Sequence, residues 1–183
     1  MKKNITILGT LLLSSISFSQ VIISDDLGTV TDKTSVLLEF ANTNDRGLVL
    51  PMVRTLPSAP TEGTILLDAT TAGTARVKYY NGVWVDLSGQ DADVTSALAK
   101  QPLTNGTTVK DEGKAVIGAE NSSADGVLVL ESANKAMVLP VVTDYLNIKN
   151  PAPGMMAFLK PATGSAHYRL IVFNGQTWSF WKP

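Results

Sequence analysis

The chain has no cysteine and a single histidine, His167, in 183 residues. Without cysteine there is no disulfide framework and no thiolate nucleophile. The fold must be held by packing, by association with other chains, or by both. One histidine leaves little material for proton transfer. No GxSxG turn is present to raise a serine nucleophile. Charge of one sign is missing too. Fifteen Lys and Arg stand against 16 Asp and Glu, for a net charge of −1. No basic stripe is visible, which argues against a nucleic-acid partner. Beyond residue 18, no apolar run approaches the roughly 20 residues that a membrane-spanning helix needs.

The one long apolar run lies at the start. Lys2 and Lys3 precede Ile5 to Phe18, and Ser17 and Ser19 are small residues at the −3 and −1 positions of a cut before Gln20. This pattern predicts a secretory signal peptide over 1–19, too short and wrongly flanked for a membrane anchor. No cysteine follows it to carry a lipid. The expected location is the periplasm, the cell surface or the outside.

The remaining chain writes one line twice. "LLEFANTNDRGLVLPMV" (37–53) matches "LVLESANKAMVLPVV" (128–142), with Leu38-Glu39 on Leu130-Glu131 and Pro51 on Pro140. The match continues in order: Pro60 and Gly63 on Pro151 and Gly154, Gly73 on Gly164, Arg76 on Arg169, and "YYNGVW" (79–84) on "VFNGQTW" (172–178). Chance similarity does not keep order over so long a stretch, so the chain reads as a tandem duplication. The expected units are 20–87 and 114–183, joined by a linker at 88–113.

Each unit is rich in Val, Ile, Leu, Thr and Tyr, in short runs broken by Gly, Pro, Asn and Asp, which predicts an all-β fold of small hairpin-rich modules. Strands are expected at Val36–Phe40, Gly47–Leu50, Thr64–Asp68, Arg76–Tyr80 and Val83–Leu87. Their counterparts are Gly126–Glu131, Ala136–Leu139, Met155–Leu159, Tyr168–Phe173 and Gln176–Trp181. Val21–Ser24 and Ala115–Gly118 are candidate leading strands. Asn81-Gly82 predicts a two-residue type I′ turn, which needs positive φ at both positions. Asn174-Gly175 is followed by Gln176-Thr177, so a longer loop is expected there. Pro51 and Pro140 lack an N–H, so their strands are expected to stop there or to lie at an edge. In the linker, Asp91 to Lys100 suits a short helix, with acids early and lysine late; Pro102 and Asn105-Gly106 then break it. The segment reads as a plain linker or as a piece packed between the units.

Groups suited to chemistry are few. His167 reads as a surface residue in a strand. Glu39 and Glu131, at matching positions just after a leucine, suit a repeated polar contact better than a catalytic carboxylate pair. The acidic pairs Asp25-Asp26, Asp91/Asp93 and Asp111-Glu112 do not spell out the six to eight oxygens that calcium takes and read as solvated charges. No catalytic, metal or cofactor-binding residue is therefore expected, and no cofactor. The candidate ligand-binding residues are the hairpin-end aromatics Trp181, Trp178, Trp84 and Tyr80, because an exposed indole or phenol face stacks on a sugar ring at low entropic cost. Trp84 and Trp178 recur at the same place, which favours plugs for the small core of each unit. Trp181 has no aromatic counterpart in the first unit, where Leu87 is nearest.

The repeated residues resemble a secreted β module of Bacteroidota that often occurs in tandem, with similar segments in phage tail-fibre-like and surface-fibre proteins. The positions that carry the resemblance are Glu39, Gly47, Pro51, Gly63, Asn81, Gly82 and Trp84, then Glu131, Pro140, Pro151, Gly154, Asn174, Gly175 and Trp178. Ala136 replaces the glycine found at 47. The resemblance is specific for the module and not for a function; with the tandem repeat and the lack of disulfides it leads to the expectation of a non-enzymatic structural or interaction protein, a subunit of a cell-surface or extracellular assembly. Its partners would be other proteins or further copies of itself, a trimer included. The alternative is a carbohydrate-binding or adhesin-like module that uses the aromatics.

Overall fold

The computed structural model of the protein describes residues 20–23, 30–40, 45–101, 113–162 and 168–181. The predicted signal segment, His167, the acidic pairs at 25–26 and 111–112, and the linker from 102 to 112 lie outside the described residues. The fold is mostly β with one short helix. Strands β1 (Val21–Ile23) and β2 (Val36–Phe40) pair in parallel, and so do β8 (Ala115–Ile117) and β9 (Leu128–Leu130). These parallel pairs give the molecule a stacked, solenoid-like aspect.

Two sheets then follow with the same order and sense. In the first, β4 (Met52–Val53) runs parallel to β5 (Ile65–Asp68), which is antiparallel to β6 (Arg76–Tyr80), which is antiparallel to β7 (Trp84–Asp86). In the second, β11 (Val141–Val142), β12 (Met155–Leu159), β13 (Arg169–Phe173) and β14 (Trp178–Phe180) repeat that path. The β strands at 36–40, 76–80 and 155–159 keep their expected bounds.

The strands before Pro51 and Pro140 stop short of the prolines, as expected, but the chain does not turn away there. The chain resumes one residue later as β4 and β11. Proline lacks a donor but keeps its carbonyl, and Leu67 and Phe158 donate to the carbonyls of Pro51 and Pro140 at 2.9 and 2.8 Å. Each proline separates two short strands that serve different partners. The strand after the proline pairs within its own half. The strand before it pairs with the other half: β3 (Leu48–Val49) lies antiparallel on β12, and β10 (Ala136–Val138) lies parallel on β2.

This exchange produces a shared core. Leu50, Leu67, Ala69, Ala75 and Val77 pack with Met156 and Val172 from the second half. Ala92, Val94 and Leu98 from the connecting segment are buried in the same cluster. The expected helix over 91–100 shrinks to one turn, α1 (Thr95–Leu98). Ala92 is drawn into an extended bridge with Ala75 instead, and Asp93 accepts from the Thr95 N–H at 2.9 Å. A second cluster of Val142, Ile148, Ala157 and Ile171 covers the opposite face of β12 and β13. Neighbouring residues on these strands, such as Met156 and Ala157, therefore point into different cores, as the two-residue period requires.

The turn at Asn81-Gly82 differs from the expected type I′. Gly82 has φ 91°, but Asn81 does not have positive φ; among the described residues Asn150 is the only non-glycine that does. The register closes at Tyr80 opposite Trp84, which leaves a three-residue loop. The second hairpin closes at Phe173 opposite Trp178, with the expected longer loop. There Gly175 has φ 119°, and a Cβ on it would lie 2.8 Å from Val94 Cγ1. Glycine is needed both for the backbone angle and for the approach of the connecting segment.

Candidate functional site

The two sheets share a path but present different chemistry on their outer faces. On the first, Lys78 stands opposite Asp86 and Asp68 opposite Arg76. Lys78 pairs with Asp68 at 2.7 Å and Arg76 with Asp86 at 2.6 Å, both diagonally across the ladder. Arg76 also reaches Asp91 of the connecting segment at 2.6 Å. Burial acts to raise the Asp86 carboxyl, but hydrogen bonds from the Ser88 hydroxyl, the Ser88 and Gly89 N–H groups and Arg76 outweigh it, and the group sits below its ordinary value. Asp68 behaves likewise: burial raises it, and Lys78 and Thr70 lower it further.

On the second sheet Arg169 keeps the charge of Arg76 but stands opposite Leu159, and the place of the Lys78–Asp86 pair is apolar. Ile171 stands opposite Phe180, and Phe173 opposite Trp178. A 3-10 turn at Tyr145–Asn147 crosses this face, with Asp144 accepting from the Leu146 N–H at 2.9 Å. Tyr145 meets Trp178 and Phe180 edge-on at 6.2 and 5.1 Å between ring centroids, and Phe173 meets Trp178 at 5.3 Å. Such tilted contacts suit the ring quadrupoles.

Of the four aromatics singled out in the sequence, Tyr80 and Trp84 contact each other, with centroids 5.2 Å apart, at the end of the first hairpin. Trp178 is half-buried against the second core cluster. Trp181 is 47% exposed, beside Phe180 at 37%, and among the described residues its ring contacts no other ring. Tyr145 contacts Trp178 and Phe180, and Leu146 beside it in the chain is 61% exposed. Nothing in the repeat pattern marks them, because they lie in the irregular stretch between β11 and β12.

The six motif residues divide between surface and interior. Pro51 and Pro140 hold the strand switches. Asn81 and Gly82 are exposed at the first hairpin. Asn174 is fully buried. Its Oδ1 accepts from the Gln176 and Thr177 N–H groups at 3.0 and 2.9 Å, and its Nδ2 donates to the Gln90 and Asp91 carbonyls at 3.0 and 3.3 Å. Every hydrogen bond its amide can make is used. This asparagine shapes its own turn and fastens it to the connecting segment.

Glu39 is also fully buried. Its carboxylate accepts from the Val30 N–H at 2.7 Å, Lys33 Nζ at 2.9 Å and Gln20 Nε2 at 3.3 Å. An open groove of about 530 Å³ lies alongside, lined by Gln20, Thr31, Asp32, Lys33 and Thr34. Glu131 accepts from the Ser122 hydroxyl. In each half, the glutamate grips the loop that joins two parallel strands.

Among the described residues, no group of three or more His, Asp or Glu side chains is placed to hold a metal. No described helix is long and apolar enough to cross a membrane, which says nothing of strands that cross as a barrel. No protein-family model, curated protein or solved structure matches this chain.

Proposed function

We propose that the chain is a non-enzymatic secreted structural or interaction protein, built as two tandem copies of one β module and serving as a subunit of a cell-surface or extracellular assembly. The observation that carries this reading is the exchange of pre-proline strands, β3 onto β12 and β10 onto β2. A module whose outer strand is used by its neighbour is a unit for stacking. The repeated residues and their resemblance to surface-fibre modules support the same reading. Export follows from the N-terminal signal pattern, and protein partners or further copies follow from the absence of any nucleic-acid or catalytic signature in the sequence. Light scattering on residues 20–183 across a concentration series tests it. Association into a defined oligomer is expected, and a monomer at every concentration would remove the self-assembling form.

A second reading, a carbohydrate-binding or adhesin-like module, is favoured by one observation: Trp181 and Phe180 stand exposed next to each other at the end of the second sheet. Trp181→Ala should then abolish retention on a glycan array and leave the far-ultraviolet spectrum unchanged.

A further inference from the structure

The two halves do not close on each other. A closed two-fold pair would match β3 on β12 with β10 on β5, and β10 on β2 with β3 on β9. Neither mirror contact is made: β5 pairs with β4 and β6, and β9 pairs with β8 alone. The contact between the halves is therefore heterologous, with each half using a different surface. Such a contact leaves one complementary surface unused at each end.

Both unused surfaces are visible. Strand β2 has β1 on one edge and β10 on the other. Its counterpart β9 has β8 on one edge, and among the described residues no strand on the other. Val127 and Leu128 are 71% and 44% exposed there. Ala115 donates to the Val127 carbonyl and Glu131 donates to Ile117, both at 2.9 Å, so the odd-numbered positions face β8. The pleat then turns the N–H and C=O groups of Leu128 and Leu130 outward. At the other end, β3 pairs with β12 along one edge, and among the described residues its second edge is bare. Val49 on it is 50% exposed.

We propose that the free edge of β9 takes the Leu48–Val49 strand of a second copy of this chain, in parallel pairing, so that copies add head to tail. The step repeats what β10 does on β2 inside one chain beyond the register shift at Ala136/Met137, where Met137 stands opposite Leu38 and Val138 opposite Glu39. The register carries over through the repeated line: Leu48 takes the place of Met137, Leu130 the place of Leu38, and Leu48 should stand opposite Leu130. The occupant is a second copy because the chain displays both the strand and the edge that receives it. The proposal rests on the assembly reading above and names the surface through which it acts.

The chain has no cysteine of its own, which allows a direct test. Full-length Leu48→Cys and Leu130→Cys proteins, mixed and oxidised, should give a mixed disulfide dimer in excess of either self-linked dimer. Independently, Leu128→Lys places a charge on an exposed edge position, where it should block strand addition. The concentration at half-association should rise about tenfold or more, with the spectrum of the folded chain unchanged. If the wild-type chain associates, while Leu128→Lys associates equally well and the mixed disulfide is absent or only 130–130 forms, the edge pairing is wrong and the assembly reading stands. If the wild-type chain is a monomer at every concentration, both fall.

Discussion

The side-chain amide of Asn174 donates to the carbonyl oxygen of Gln90 at 3.0 Å, joining positions 84 apart in the sequence. The same side chain holds two N–H groups of its own turn. Asn174→Ala removes all four of these part-buried hydrogen bonds from a fully buried side chain and should cost on the order of 3 kcal/mol. Asn81→Ala, at the exposed matching turn, should cost less than about 0.5 kcal/mol. Urea unfolding of the two variants checks the contrast, and equal costs would refute the fastening role.

Glu39 and Glu131 occupy matching places with different burial. Glu39→Ala removes the acceptor that the Val30 N–H, Lys33 and Gln20 share and should destabilise by about 2–3 kcal/mol. Glu131→Ala, where the side chain is only half-buried, should cost about 1 kcal/mol. Unfolding midpoints of the pair decide whether burial sets the difference.

The connecting segment belongs to the core. Leu98→Ala should cost about 2–5 kcal/mol, far more than a change in a solvated tether. Because one cluster joins both halves, calorimetry should show a single transition with equal calorimetric and van't Hoff enthalpies. Two separable transitions would mean that the halves unfold independently.

Asp68 and Asp86 both sit below the ordinary aspartate value of 3.8. Burial pushes them up, and the hydrogen bonds from Lys78, Thr70, Ser88, Gly89 and Arg76 more than offset it. A carboxyl with a lowered folded value stabilises the fold above its ordinary value, and that stability is lost as pH falls through the lowered one. The urea midpoint should therefore drop as pH falls below about 4. Asp86→Asn should be less stable than wild type at neutral pH and lose less on acidification. A wild-type midpoint flat through this range would count against these contacts.

Local patterns were legible in the sequence where a strand is bounded by its own residues. Val36–Phe40, Arg76–Tyr80 and Met155–Leu159 each announce their ends. Met52–Val53 and Val141–Val142 were hidden, because a proline reads as a stop while its carbonyl continues the ladder. The Asn-Gly dipeptides showed where the hairpins turn but not the angles, since Tyr80 opposite Trp84 fixes a three-residue loop that asparagine enters with ordinary φ. The aromatic rim was only partly visible: Trp178 and Phe180 lie in a strand, but Tyr145 reaches them from a loop. Pairing of β3 with β12 and of β10 with β2 joins distant segments of similar composition, and no local period records which partner each strand takes.

The exchange of strands also governs the order in which the protein can become itself. Domains usually fold as units, the N-terminal one first. Here the first half waits for β10 to complete the edge of β2, and for Met156 and Val172 to fill its interior. Its apolar surfaces stay uncovered until β10, β12 and β13 have joined it. A cut between the halves would therefore uncover both the edge of β2 and the core face that Met156 and Val172 fill.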